Sequence, residues 1–283
     1  IILRFKFNEP TNWWVYYFYK GLIFKQKLFM YIDKVYIISI DHREEYVEEL
    51  LERANMLPLP FGTKVEVFEG YVGKRLIKEE GEEYTLYDGW ELSESTIKYD
   101  FWNRPTTYGE AGGMISHTRC WEDAYKNGYN TIMILEDDFI PRVPIDWSIF
   151  NEMDDYEWDI CLMSHNSLHR IFKKLMDSKR IGKDNFIRPS AFYNTHTYML
   201  KRTGIEKLVE GHLPTLKKNI IVSDEFLSSV ISSHPRSDIR KMYVSNLSAI
   251  ATKTDYTGQT RFQDLGNSLT EPTDDDIKRQ KGD

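Results

Sequence analysis

The run Thr131-Ile132-Met133-Ile134-Leu135-Glu136-Asp137-Asp138 constrains this chain more than any other segment. Four consecutive apolar residues, Ile132 to Leu135, read as a strand buried on both faces, the pattern of a parallel sheet. Three carboxylates follow where the strand has to leave the core. Open α/β sheets bind their ligands at the carboxyl ends of strands. Hard oxygen ligands clustered there suit Mg²⁺ or Mn²⁺, and such an ion suits a phosphate-bearing substrate. Side chains alternate along an extended chain, so Glu136 and Asp138 point one way and Asp137 the other. One face then holds a two-carboxylate clamp, and the middle acid is left for another task. Acids after a strand also occur as a solvated loop or a helix N-cap. The neighbouring segments have to decide between these readings.

Lys34 to Ile40 is short and rich in β-branched residues, so it reads as a first strand, broken by Asp41-His42-Arg43. Val47, Leu50, Leu51, Ala54 and Leu57 recur at helical spacing until Pro58 and Pro60 stop them. Val65 to Phe68 reads as a second strand. This opening predicts a βαβ unit with a right-handed crossover. Residues 71–105 are polar and mixed, and are expected to form a long connection carrying a hairpin. Gly109 to Asn127 is helical, with Ala111, Met114, Ile115, Thr118, Trp121 and Ala124 inward and Gly128 closing it. Asp159 to Ser164 and Thr197 to Leu200 are further strands, the former ending in His165. Gly204 to Glu210 is a helical turn or two ended by Gly211, and Asp224 to Ile231 is a helix. The expected fold class is α/β with a mostly parallel central sheet.

Length and charge set the outer limits. The 283 residues permit one large domain or two small ones. A net charge of −7, with no long Lys/Arg block, argues against a grip on nucleic-acid backbone. The two cysteines, Cys120 and Cys161, sit in apolar contexts and are expected to be reduced core residues. No G-x-G-x-x-G follows the first strand, and neither a P-loop lysine motif nor a G-x-S-x-G elbow occurs. Residues 1–29 begin with Ile1 rather than Met and are too broken for a spanning helix. They are expected to be either a leader foreign to the domain or a β-hairpin or edge element packing on the domain. The domain is expected over 30–265, and a frayed polar tail over 266–283. No membrane span, secretory signal or retention tail is expected, which fits a soluble protein, cytoplasmic or in host cytoplasm if microbial or viral.

Several ordered blocks together carry a resemblance. Gly109-Glu110-Ala111-Gly112-Gly113-Met114-Ile115-Ser116-His117, then Trp121, then Leu135-Glu136-Asp137-Asp138 resemble the pattern of glycosyltransferase family 25. So do Val35 to Asp41 with Arg43, Thr195-His196-Thr197-Tyr198 with Gly204, and Ser223-Asp224-Glu225-Phe226-Leu227. His234-Pro235 and Tyr256-Thr257-Gly258 are most similar to its procollagen galactosyltransferase branch; lipopolysaccharide galactosyltransferases form another. The resemblance spans roughly residues 33–260 and implies a GT-A-type, Rossmann-like nucleotide-sugar-binding domain. It also implies a UDP-sugar donor, usually Mn²⁺ with Mg²⁺ as the alternative, and transfer of galactose to hydroxylysine of a collagen-like polypeptide.

On that resemblance, Asp138 is the first choice for direct metal ligation, with Glu136 as its same-face partner. Asp137 suits a ribose hydroxyl or a neighbouring backbone group. Ser39, Ile40 and Asp41 should cradle the uridine, with Arg43 near a phosphate or the base; Asp41 has capping of the next helix as its other reading. His117 is expected at the donor site, and Glu110 there or as a helix cap. A β-linked product from an α-linked donor requires inversion, hence a base for the acceptor hydroxyl. Asp224 is the first candidate and Glu225 the second, their other reading being acids that complement the helix dipole. His196 and Tyr198 are candidates for acceptor or sugar contact. The procollagen branch often has a histidine before Tyr-Thr-Gly; here Asp255 stands there, so the third metal ligand is open between Asp255 and His165. A glycan acceptor, or a non-catalytic binding role, are the competing functions, and a homodimer is the open oligomeric expectation.

Overall fold

The computed structural model describes residues 2–6, 13–19, 22–27, 31–78, 83–87, 89, 106–164, 179–181, 185–189, 195–232, 234 and 236–259. Near the N-terminus, β1 (Ile2–Lys6), β2 (Trp13–Tyr19) and β3 (Leu22–Lys27) form an antiparallel sheet of their own. His165 and the expected polar tail over 266–283 lie outside the described residues.

The main sheet takes its first strands from the βαβ opening. β4 (Lys34–Ser39) is followed by α1 (Glu44–Asn55) and then β5 (Lys64–Glu69), parallel to β4 in register. After the short α2 (Arg75–Lys78) comes α3 (Tyr108–Lys126). It leads into the acid strand β6 (Thr131–Glu136) and the three-residue β7 (Phe139–Pro141). β8 (Ile160–Leu162), β9 (Lys179–Ile181), β10 (Phe186–Arg188) and β11 (Thr197–Lys201) follow. A helical stretch starts as α4 (Arg202–Glu206), passes through a π-turn at Lys207–His212 and continues over Leu213–Leu216. α5 (Ser223–Ile231), α6 (Ser237–Met242), β12 (Ala249–Thr252) and β13 (Thr257–Gln259) complete the order.

The eight-stranded sheet runs β5-β4-β6-β11-β8-β12-β10-β9, with only β11 and β10 opposed to the other six strands. It is therefore mixed but mostly parallel in direction. Alternation along the strands sorts the core into two layers. Tyr36, Ile38, Ile132, Ile134 and Tyr198 face α3 and α5 on one side. Val35, Ile37, Met133, Leu135 and Met199 face α1 and the 3₁₀ segment Trp147–Asp155 on the other. Each such aliphatic side chain, fully buried, contributes about 1.5–3 kcal/mol. Two layers on one sheet thus fix which way every residue of β6 points.

One expectation needs correction. Gly211 does not end the helix after β11. The chain absorbs an extra residue in the π-turn and keeps Leu208, Leu213 and Leu216 buried, so burial overrides the glycine. Much of the 71–105 connection in which a hairpin is expected, residues 79–82, 88 and 90–105, lies outside the described residues; within it, Leu86 bridges Ile220. Strand β11, expected only as a strand, enters antiparallel between β6 and β8. One glycine of the Gly112-Gly113 pair is dictated by packing. A Cβ on Gly112 would lie 2.5 Å from the Tyr71 carbonyl oxygen, whereas one on Gly113 meets nothing within 4 Å. Gly112 thereby lets the loop after β5 close onto the first turns of α3. There the Tyr71 N–H donates to Ser116 Oγ at 2.7 Å.

Candidate active site

The acid turn leaves the sheet at the carboxyl end of β6, and each of its three side chains has a different environment. Glu136 stays on the α3 side. Its Oε1 accepts from Thr195 Oγ1 at 2.7 Å and lies 3.2 Å from His117 Nε2. Its backbone N–H donates to the His196 carbonyl at 3.0 Å, which extends the β6–β11 ladder by one residue. Burial pushes the Glu136 carboxyl up, but the His117 and Thr195 hydrogen bonds outweigh it and hold the group below the usual range.

Asp137 turns to the opposite layer, as alternation predicts. Ser39 Oγ donates to its Oδ2 at 2.7 Å, and its N–H donates to the Ile38 carbonyl. Arg53 of α1, which sequence reasoning missed, donates Nη1 to the Asp137 carbonyl at 2.7 Å and to that of Phe139 at 3.2 Å. Its guanidinium carbon stands 5.6 Å from the Phe139 ring centre. Nothing in the local pattern distinguishes Arg53 from other helix-face cations. Burial, partly offset by Ser39, raises the Asp137 carboxyl.

Asp138 is the most perturbed of the three. Its carboxyl is pushed up to about 8, first by burial and then by the charges of Glu136 and Asp137. The Gln259 amide nitrogen lies 3.4 Å from Asp138 Oδ1 and 3.5 Å from Glu136 Oε2, between the two same-side carboxylates. Gln259 arrives through the β13–β7 pair, in which it sits opposite Phe139. A three-residue strand gives almost no periodicity to read, so this contact had no sequence signal.

The remaining candidates surround this turn unequally. Ser39 is buried, while Ile40 is 40% exposed. Asp41 accepts from Arg43 through both oxygens, at 3.0 and 2.6 Å, and also from the Arg43 backbone N–H at 3.1 Å. The Arg43 hydrogen bonds hold the Asp41 carboxyl below its ordinary value. The N-cap of α1 is Arg43 without a side-chain cap, so Asp41 braces the loop ahead of the helix. Glu110 closes a capping box with Thr107 at the start of α3, which is the capping reading of that residue. His196 is fully buried, and neither ring nitrogen has a hydrogen-bond partner. Burial holds its imidazole below the usual histidine range. Glu136 and Asp255 pull it upward, Arg142 downward, and the Thr257 backbone lies close enough to favour the charged form without hydrogen-bonding geometry. Asp255 stands 3.8 Å from Arg142 Nη1. Tyr198 is buried against α3, inside the core rather than at a surface.

The two acids at the start of α5 separate cleanly. Glu225 is buried, and its Oε2 lies 2.8 Å from His234 Nε2. Asp224 is partly exposed. Ser223 Oγ is 3.1 Å from Thr195 Oγ1, so the first turn of α5 is one hydroxyl away from Glu136. The structure therefore gathers Ser39, Glu136, Asp137, Asp138, His196, Gln259 and the α5 N-terminus at one end of the sheet. Among the described residues, no three His, Cys, Asp or Glu side chains close around a single point as a metal cage would. No helix among them is long and apolar enough to cross a membrane.

The chain is similar in sequence to known proteins. It is 25% identical over 250 residues to a glycosyltransferase 25 family member of Anopheles gambiae, covering 84% of this chain and 40% of that protein. It is 24% identical over 270 residues to procollagen galactosyltransferase 1-B of Xenopus laevis, covering 89% of this chain and 42% of that protein. The chain thus spans only about two fifths of these relatives' length. Among solved structures, it is similar to mouse xyloside xylosyltransferase 1 in its apo form, at TM-score 0.32 and 14% identity, covering 71% and 68% of the two chains. A family model described as glycosyltransferase family 25 (LPS biosynthesis protein) matches residues 32–227, a span that holds β4, α3, the acid turn and the start of α5. The chain belongs to glycosyltransferase family 25.

Proposed function

We propose that this chain is a metal-dependent, inverting galactosyltransferase that moves galactose from UDP-galactose to hydroxylysine of collagen or a collagen-like protein. Family membership supports a sugar donor and a protein or glycan acceptor, and the names of the vertebrate relatives favour galactose and procollagen. The observation that carries the reading is the acid turn: a carboxylate pair at the carboxyl end of β6, with Asp138 pushed up to about 8 by burial and its acidic neighbours.

The residues present fit a divalent cation. Glu136 and Asp138 offer hard oxygens from one side of the strand, their mutual repulsion would be relieved by positive charge, and His196, whose ring nitrogens are orphaned, lies within electrostatic reach of Glu136. Mg²⁺-type sites commonly use one or two carboxylates, waters and substrate phosphates rather than an all-protein cage, and Mn²⁺ accepts the same oxygens. Asp138 and Glu136 are the ligands in this reading, with Asp255 as the candidate third. When bound, the ion supplies Lewis-acid stabilisation of the departing diphosphate.

The chain's own residues do the rest. Ser39 and Asp137 form a fixed pair at the end of β4, beside Ile40, Asp41 and Arg43, where the uridine and ribose are read. Asp224 takes the proton of the acceptor hydroxyl as its oxygen bonds to the anomeric carbon and the bond to UDP breaks. Partial exposure suits Asp224 to this role, whereas Glu225 is committed to His234. The test is UDP release from a panel of UDP-sugars with a hydroxylysine-containing collagen peptide, in Mn²⁺ or EDTA. Release from UDP-galactose that needs both peptide and Mn²⁺ and is lost in Asp138→Asn is expected. Release from no donor overturns the reading. The family description also names lipopolysaccharide biosynthesis, which favours a glycan acceptor as the second reading. Transfer to sugar acceptors but not to the peptide would select it.

A further inference from the structure

We infer that His117 is a positioning residue for the acid turn, the last link of a buried hydrogen-bond chain that aims one oxygen of Glu136 at the cation. The inference rests on the metal-site reading above. Trp121 Nε1 donates to the Tyr198 hydroxyl at 3.0 Å. That hydroxyl lies 3.0 Å from His117 Nδ1, and His117 Nε2 lies 3.2 Å from Glu136 Oε1.

The two ends set the direction. An indole N–H can only donate, and an ionised carboxylate can only accept. His117 must therefore present Nε2–H to Glu136. In the neutral ring Nδ1 is then an acceptor, and it receives the Tyr198 O–H while the Tyr198 oxygen receives the indole N–H. The chain thus specifies the imidazole tautomer from the core outward, as partners behind a ligand often do.

Burial makes the arrangement rigid. Trp121 and Tyr198 are fully buried, His117 is 2% exposed, and the His117 and Tyr198 rings lie at 5.7 Å between centres. Thr195 Oγ1 brings a second donor to the same oxygen. Glu136 Oε1 is thereby occupied by two donors. Oε2 is the oxygen left on the side of Gln259 and Asp138. A carboxylate gripped by one oxygen offers the other in a fixed direction, which suits monodentate ligation. Neither His117 nor Tyr198 needs to touch the substrate in this arrangement.

The experiment measures Mn²⁺ affinity of the full chain by electron paramagnetic resonance of the free ion. It compares wild type, His117→Leu, His117→Gln and Tyr198→Phe, with thermal melts in EDTA alongside. Loss of a ligand's supporting partner typically weakens metal binding about tenfold to a hundredfold, and that is the loss expected for His117→Leu. His117→Gln keeps an amide N–H near the position of Nε2 and should recover most of the affinity. Tyr198→Phe, which leaves the imidazole in place but frees its tautomer, should show a smaller loss and carries the test if His117→Leu does not fold. Wild-type affinity in His117→Leu, or no recovery in His117→Gln, would overturn the inference while leaving the metal site standing. Absence of Mn²⁺ binding in the wild type would remove the metal site and this inference together.

Discussion

Replacing Asp138 by asparagine should make the metal-free protein more stable at alkaline pH, by an amount that the acid turn sets. In the folded chain the Asp138 carboxyl is pushed from 3.8 up to about 8. Between those values the native state holds a proton that the unfolded chain releases. Unfolding free energy therefore falls as pH rises through this window, and levels off above it. Each pH unit is worth about 1.4 kcal/mol, so roughly four units set a ceiling near 6 kcal/mol. Asp138 is partly exposed, and solvent screening brings the expected effect to about 2–3 kcal/mol. The asparagine side chain does not titrate, so the variant's advantage over wild type should be near zero at about pH 4 and grow to that size above about pH 8. The assay is urea denaturation in EDTA, followed by tryptophan fluorescence, at three pH values across the window. A stability difference that does not change with pH would show that Asp138 is not protonated in the folded chain across this window. So would a variant that is less stable than wild type at the alkaline end.

Other predictions follow from single contacts. Gly112→Ala should destabilise by about 1–3 kcal/mol, because its Cβ would press on the Tyr71 carbonyl, whereas Gly113→Ala should be neutral or slightly stabilising; urea midpoints compare them. Asp159 accepts from Thr203 and Lys207 at 2.6 Å and from the Ser248 N–H at 2.8 Å, so Asp159→Ala should cost about 3–5 kcal/mol in the same assay. Asp224→Asn should retain the fold and UDP binding but lose transfer, while Glu225→Gln should lower the melting temperature through its pairing with His234. Equal melting temperatures for the Asp224 and Glu225 variants would contradict that separation.

Much of the site was legible because β6 carries two signals at once. Ile132 to Leu135 fix a buried strand, and alternation then places Glu136 and Asp137 on opposite layers, where His117 and Ser39 meet them. The βαβ opening was legible for the same reason, through Val35 to Ile38 and the helical spacing of α1. Strand direction was not. Thr197 to Lys201 is apolar in the same way whether it runs with β6 or against it, so its antiparallel insertion has no trace in periodicity. Gln259 and Arg53 were invisible for another reason. Both are ordinary polar residues whose importance comes from a long-range approach, one through a three-residue strand pair and one from a helix face. Gly211 misled because a glycine near a helix end usually marks its close, and here the buried leucines beyond it kept the helix going.

The most direct measurement is calorimetric titration of UDP into the full chain, with Mn²⁺ and with EDTA, for wild type and Asp138→Asn. The wild type should bind UDP only when Mn²⁺ is present, and Asp138→Asn should lose that binding. Equal UDP binding in EDTA, or undiminished Mn²⁺-dependent binding by Asp138→Asn, would rule out a cation held by the acid turn.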